Sequence, residues 1–134
     1  MARVPDLPFG ALTPEQQRIY KEIAGTRSGV RGPFALWLRN PDLADRANQL
    51  SNALRLHGKL EKRLFELMVL VVARHWSAQY EWFVHETAAL KAGLSPEVVE
   101  AVRDRRSPEF VRDDERLVYG FRGHNTKFNV NPAS

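Results

Sequence analysis

The stretch Leu64-Phe65-Glu66-Leu67-Met68-Val69-Leu70-Val71-Val72-Ala73 constrains the fold of this chain more than any other, because it is apolar at every position but one. As a helix it presents apolar side chains around its whole circumference, which predicts a central, buried helix. It is far too short to span a membrane. Glu66 is the anomaly within it, since a carboxylate in such a run must be paired, hydrogen-bonded, kept protonated or opened to a cavity. Buried acids are candidates for function. The structural alternative is a glutamate paired with a buried arginine or capping a neighbouring helix.

Around this run the chain reads as further helices. Thr13-Pro14-Glu15-Gln16 supplies a cap and a first-turn proline for a helix from about 14 to 24. Gly25, Gly29 and Gly32-Pro33 enclose a loop, and Phe34-Ala35-Leu36-Trp37-Leu38 forms a short apolar segment halted by Asn40-Pro41. Leu43, Ala47, Leu50 and Leu54 mark the expected buried stripe of a helix from about 42 to 57, ended by His57-Gly58. After the central helix, about 60 to 75, Ser77 is the expected cap of a helix from about 78 to 92 that stops at Gly93. Ser95-Pro96-Glu97 opens another near 96 to 104, and a last stretch covers about 113 to 120. From Gly120 to Ser134 no helical period is visible, and this tail is expected to be loosely ordered. No strand alternation and no internal repeat appears, so an all-α bundle forming one domain over residues 1–134 is expected.

Cysteine is absent, which excludes disulfides, thiolate nucleophiles and Cys-ligated metals. The net charge of +4 is spread along the chain and mixed with acids, and no nucleic-acid-binding signature accompanies it. The first residues lack the long apolar stretch of a secretory signal, so a cytoplasmic location is the expectation. Neither nucleic acid nor membrane is an expected partner.

Ala78, Glu81, His85, Ala88, Ala89 and Ala92 share a helical stripe of small residues interrupted by an acid and an imidazole. Glu81 and His85 are four apart and can interact. If the helices on either side of Ser77 fold back on each other, Glu66 comes within reach of His85, and two carboxylates and a histidine surround one pocket suited to proton transfer. The structural alternative is a salt-bridged histidine locking two helices. Metal ligation by Glu and His at this spacing lacks an HExxH-like pair or a third nearby ligand, so no metal site is expected. Trp76, Tyr80, Trp82 and Phe83 form an aromatic cluster in which Tyr80 can donate a phenolic hydrogen bond. Trp82 falls nearer the polar side of its helix, which suggests a subunit contact or a place against substrate. Arg31 and Arg74 are candidates for gripping a substrate carboxylate.

Val30-Arg31-Gly32-Pro33-Phe34, Asn40-Pro41-Asp42-Leu43-Ala44, Arg63-Leu64-Phe65-Glu66-Leu67, Tyr80-Glu81-Trp82 with His85, and Ala92-Gly93-Leu94-Ser95 together resemble the carboxymuconolactone decarboxylase family, over about residues 8 to 120. The resemblance implies the alkylhydroperoxidase D-like helical fold. In that branch a Glu precedes a Cys-x-x-Cys and a His; Glu66 and His85 match the Glu and His, Ala78 and Glu81 stand at the two cysteines, and Tyr80 stands where the branch has another His. Without thiols the dithiol peroxidase mechanism is excluded, and an antioxidant role would rest on the family label alone.

The decarboxylase branch is the better analogy and implies no metal and no organic cofactor. It suggests a lyase acting on a small carboxylated lactone of aromatic-compound catabolism, with His85 as general acid/base, Glu66 as its partner, Tyr80 or Glu81 as a second polar contact and Arg31 as a weaker anchor. It also implies a homo-oligomer, trimer or hexamer, and further C-terminal helices in whose place this chain has the Gly120–Ser134 tail. A non-catalytic oligomeric binding or scaffold protein of the same fold is the alternative from another class.

Overall fold

A computed structural model describes residues 4–125, with side chains described through Phe121. Every regular element among them is helical: α1 (Pro14–Thr26), α2 (Pro33–Trp37), α3 (Pro41–Leu56), α4 (Lys62–His75), α5 (Gln79–Lys91), α6 (Pro96–Arg103) and α7 (Asp113–Asn125), preceded by one 3₁₀ turn at Phe9–Ala11. The all-α reading therefore holds. The chain groups into two compact units that divide between Gly58 and Lys59.

In the first unit the sequence signals act as read. Thr13 accepts from the Gln16 amide, the Gln16 side chain answers at the Thr13 N–H, and Pro14 fills the first turn, so α1 starts with a complete capping box. Ile19 and Ile23 of α1 pack with Leu12, Phe34, Leu38 and Ala44 in the core of this unit. The sidedness of α3 differs from the expected one. Ala44 and Asn48 are buried, whereas Leu43, Leu50 and Leu54 are exposed. The cause is polar: Arg18 of α1 reaches Asp45 at 3.5 Å, and Arg27, just past α1, donates to Ser51 at 2.5 Å while lying over the Phe34 ring. These bonds turn the small and polar face of α3 toward α1.

The second unit is built on α4. Leu67, Leu70 and Val71 pack with Ala89 of α5, Leu94, and Val98, Val99 and Val102 of α6, with Val118 and Tyr119 of α7 against them. The expectation that α4 is covered all round is corrected, because Met68 and Val72 are exposed. Helices α5, α6 and α7 of this unit pack on the Leu67 and Leu70 side of α4, and the Met68 stripe is exposed.

Helices α4, α5 and α6 all end in the same way. Ala78 N–H donates to Ala73 O at 2.8 Å, Leu94 N–H to Ala89 O at 3.0 Å and Arg106 N–H to Ala101 O at 2.8 Å, each closing a turn around a left-handed residue. Those residues are Ser77 (φ 54°), Gly93 (φ 91°) and Arg105 (φ 60°). Ser77 thus serves to end α4. The expected cap of α5 is corrected on this ground, since a cap requires extended backbone; Ala78 occupies that position without a side-chain bond. The last helix also exceeds its predicted end at 120, for α7 continues to Asn125. Its docked first turns propagate through Gly120 at a cost of about 1 kcal/mol for the glycine. The remainder of the tail, 126–134, lies outside the described residues.

Arg63, at the start of α4, is buried and grips α7. Its guanidinium donates to Glu115, to Asp114 at 2.6 Å and to Glu61 at 3.2 Å, and Glu115 is as deeply buried as Arg63. Burial works to lower the Arg63 pKa, but the bonds to Asp114 and Glu115 outweigh it and raise it. The same bond from Arg63, helped by Arg112, lowers Asp114 from 3.8 to about 2. Replacing Arg63 by Met leaves Glu115 buried without its cation and should destabilise the chain by about 3–5 kcal/mol in urea melts. A carboxylate depressed in the folded state stabilises above its unfolded pKa and loses that contribution as pH falls through the folded one. The stability advantage of wild type over Asp114→Asn should therefore shrink between about pH 4 and pH 2 in thermal melts, and an advantage unchanged over that range would refute the linkage.

Candidate functional site

The three-residue link Trp76–Ala78 folds α5 back along α4, which brings Glu66 and His85 together across nineteen positions of sequence. His85 Nδ1 lies 2.7 Å from Glu66 Oε2, and His85 Nε2 lies 3.5 Å from Glu81 Oε2. Glu66 is 4% exposed, so its carboxylate is a core group facing an imidazole. The buried arginine of α4, Arg63, is engaged with α7. Both ring nitrogens of His85 thus have a carboxylate within reach, one deep and one shallow. This is the trio expected from the helical spacing.

Glu81 is the outer member. It sits at the polar end of an open groove of about 300 Å³ between α4 and α5, otherwise lined by apolar groups including Phe65, Met68, Val72, Trp76 and Ala78. The Met68 stripe left open by the packing is one wall of this groove. Chemically the arrangement is a proton path from a buried carboxylate through an imidazole to a carboxylate facing an apolar space. Such a path suits delivery of a proton to a carbanion or enolate.

The other candidates lie elsewhere. Tyr80 is half exposed and makes no hydrogen bond among the described residues. Trp82 does not occupy the polar side of α5: it is half-buried against the core of its unit, with its indole N–H donating to Glu86 at 3.0 Å. Arg74 lines, with Trp82, a second cleft that shares Ala73 and Ala78 with the groove, and the Arg74 Nε donates to the Arg103 carbonyl. Arg31 is exposed in the loop between α1 and α2, in the first unit. Sequence reading missed Glu86 and Arg103, which pair across that second cleft. The i,i+4 spacing of Trp82 and Glu86 was the available signal; Arg103 has none, being joined to them only through the α6 fold-back. Among the described residues no group of three or more His, Asp or Glu side chains is placed to hold a metal ion.

A family model described as carboxymuconolactone decarboxylase family matches residues 41–110, just over half of the 134 residues. The chain belongs to this family. No curated protein and no solved structure shows a significant match to it. The matched stretch of this carboxymuconolactone decarboxylase family member begins with α3 and contains all of α4, α5 and α6, hence Glu66, Glu81, His85 and both clefts. The helical architecture agrees with that membership, and no described helix is long and apolar enough to cross a membrane.

The 2.7 Å contact with Glu66 sets an expectation for the tautomer of His85. When neutral, the ring should carry its proton on Nδ1, donated to Glu66, leaving Nε2 toward Glu81. Nitrogen-15 shifts of the imidazole test this, and Glu66→Ala should move the neutral ring to the Nε2–H form; a wild-type ring already in that form would contradict the assignment.

Proposed function

We propose that this family member is a cofactor-independent lyase that removes carbon dioxide from a small carboxylated unsaturated lactone, or a related intermediate of aromatic-compound breakdown, in the cytoplasm. The observation that carries the reading is the Glu66–His85–Glu81 trio, set behind an apolar groove. In the reaction the C–C bond to the substrate carboxylate breaks, carbon dioxide leaves, and the electron pair spreads into the conjugated carbonyl as a dienolate. An apolar groove favours this step because it disfavours a localised carboxylate more than a delocalised anion. A proton then passes to carbon. Glu81 touches the groove and delivers it, His85 is the general acid/base that resupplies Glu81, and Glu66 holds the ring. Tyr80 is a further polar contact at the start of α5.

The same reading makes the chain a homo-oligomer, trimer or hexamer. Met68, Val72 and Trp76 of the groove wall are exposed, as are Tyr80, Phe83 and Val84 of α5, and Phe83 reaches 76%. A patch of this kind marks an association surface. A second reading, an oligomeric scaffold without catalysis, is favoured by the closure of Glu66 on His85 at 2.7 Å.

Carbon dioxide release from carboxymuconolactone separates the two. His85→Ala and Glu66→Ala should each lower turnover by about 100-fold or more with unchanged helical circular dichroism; full activity in both variants would sink the assignment, and no turnover by wild type would leave the scaffold. Phe83→Asp, which spares the groove lining, should shift the light-scattering mass toward the monomer.

A further inference from the structure

The second cleft of this unit has a volume of about 520 Å³ and runs between the end of α4, the start of α5 and Arg103 of α6. That volume falls within the range of small-molecule pockets, roughly 300–1,000 Å³. Its floor is apolar, supplied by Ala73, Ala78 and the Trp82 ring, and its rim carries Arg74, Arg103, Glu86 and Gln79.

The charges of the rim do not cancel. One oxygen of Glu86 is taken by Arg103, and the other accepts from the Trp82 indole at 3.0 Å. The Arg103 guanidinium also lies 5.7 Å from the centre of the Trp82 ring. Arg74 uses only Nε, on the Arg103 carbonyl. Among the described residues its two terminal nitrogens bond to nothing, and no carboxylate pairs with it. Arg105 adds a further cation, since its guanidinium donates to Ser77 Oγ at 3.3 Å and has no acidic partner among the described residues. Gln79 offers an exposed amide beside them.

An apolar floor under a guanidinium with a free planar fork matches one kind of ligand, a flat organic body carrying a single carboxylate. We propose that this cleft binds a small aromatic or unsaturated monocarboxylic acid, its ring over Ala73, Ala78 and the exposed edge of Trp82 and its carboxylate on the terminal nitrogens of Arg74. The site is distinct from the Glu81 groove, does not depend on the reaction proposed there, and involves no covalent step.

Titration calorimetry of the full chain with benzoate tests this. Wild type should bind benzoate saturably. Arg74→Met should weaken binding by about tenfold or more, the effect of losing a charged hydrogen-bond pair. Because Arg74 also holds the Arg103 carbonyl, Gln79→Glu is the second variant: it breaks no bond seen in the structure, puts a negative charge on the rim and should weaken binding comparably. Glu86→Gln releases Arg103 from its carboxylate and should tighten binding, a sign that a purely structural role for these residues does not give. His85→Ala should bind as wild type does. Absence of saturable binding at millimolar benzoate would overturn the proposal. So would binding that survives both Arg74→Met and Gln79→Glu, binding that is lost in His85→Ala, or displacement of benzoate by inorganic phosphate at equal concentration.

Discussion

Helix α4 buries two groups of opposite charge, Arg63 and Glu66, within one turn of each other in an otherwise apolar segment. Neither can be left without partners inside the unit, and each partner comes from a different helix: Asp114 and Glu115 of α7 for the arginine, His85 of α5 for the glutamate. Apolar packing against Leu67, Leu70 and Val71 provides cohesion but little direction. The two sets of hydrogen bonds add direction, setting the register of α5 and α7 along α4. A helix sliding by one turn keeps much of its apolar burial and leaves a buried polar group without its partner, which is the expensive outcome.

Much of this was legible in the chain. Thr13, Asn40 and Ser95 cap the helices they precede, and Gly93 ends α5, because short-range backbone chemistry is written within four or five residues. Glu66 and His85 were readable as a pair because a tight link between two helices leaves only one way for them to face. The ends of α4 and α6 fall where expected, but the residues that close them, Ser77 and Arg105, carried no signal, since they take left-handed backbone without being glycine. The sidedness of α3 was misread because the apolar period points at Leu43, Leu50 and Leu54, while the bonds from Arg18 and Arg27 that orient the helix come from far away in sequence. Arg63 and Glu115 stand 52 positions apart, and nothing in local spacing connects them.

The two clefts of the second unit differ in kind although they share Ala73 and Ala78. One is apolar and closes on an acid backed by an imidazole; the other is rimmed by guanidinium groups. Membership in the carboxymuconolactone decarboxylase family accounts for the helices that form both. The difference between them comes from which side chains α5 sends to each face: Glu81 and His85 on one, Trp82 and Glu86 on the other.

The left-handed helix ends bear on the second cleft in another respect. Ser77 is part of its wall, and Arg105, the other non-glycine residue in that conformation, is hydrogen-bonded to it. This edge is therefore made of helix termini tied by their own backbone bonds and then to each other, where a mobile loop would be the usual material. A guest entering such a mouth has little surrounding chain left to freeze. The ordering was done when the helices formed, and the entropy that recognition normally consumes was spent in folding.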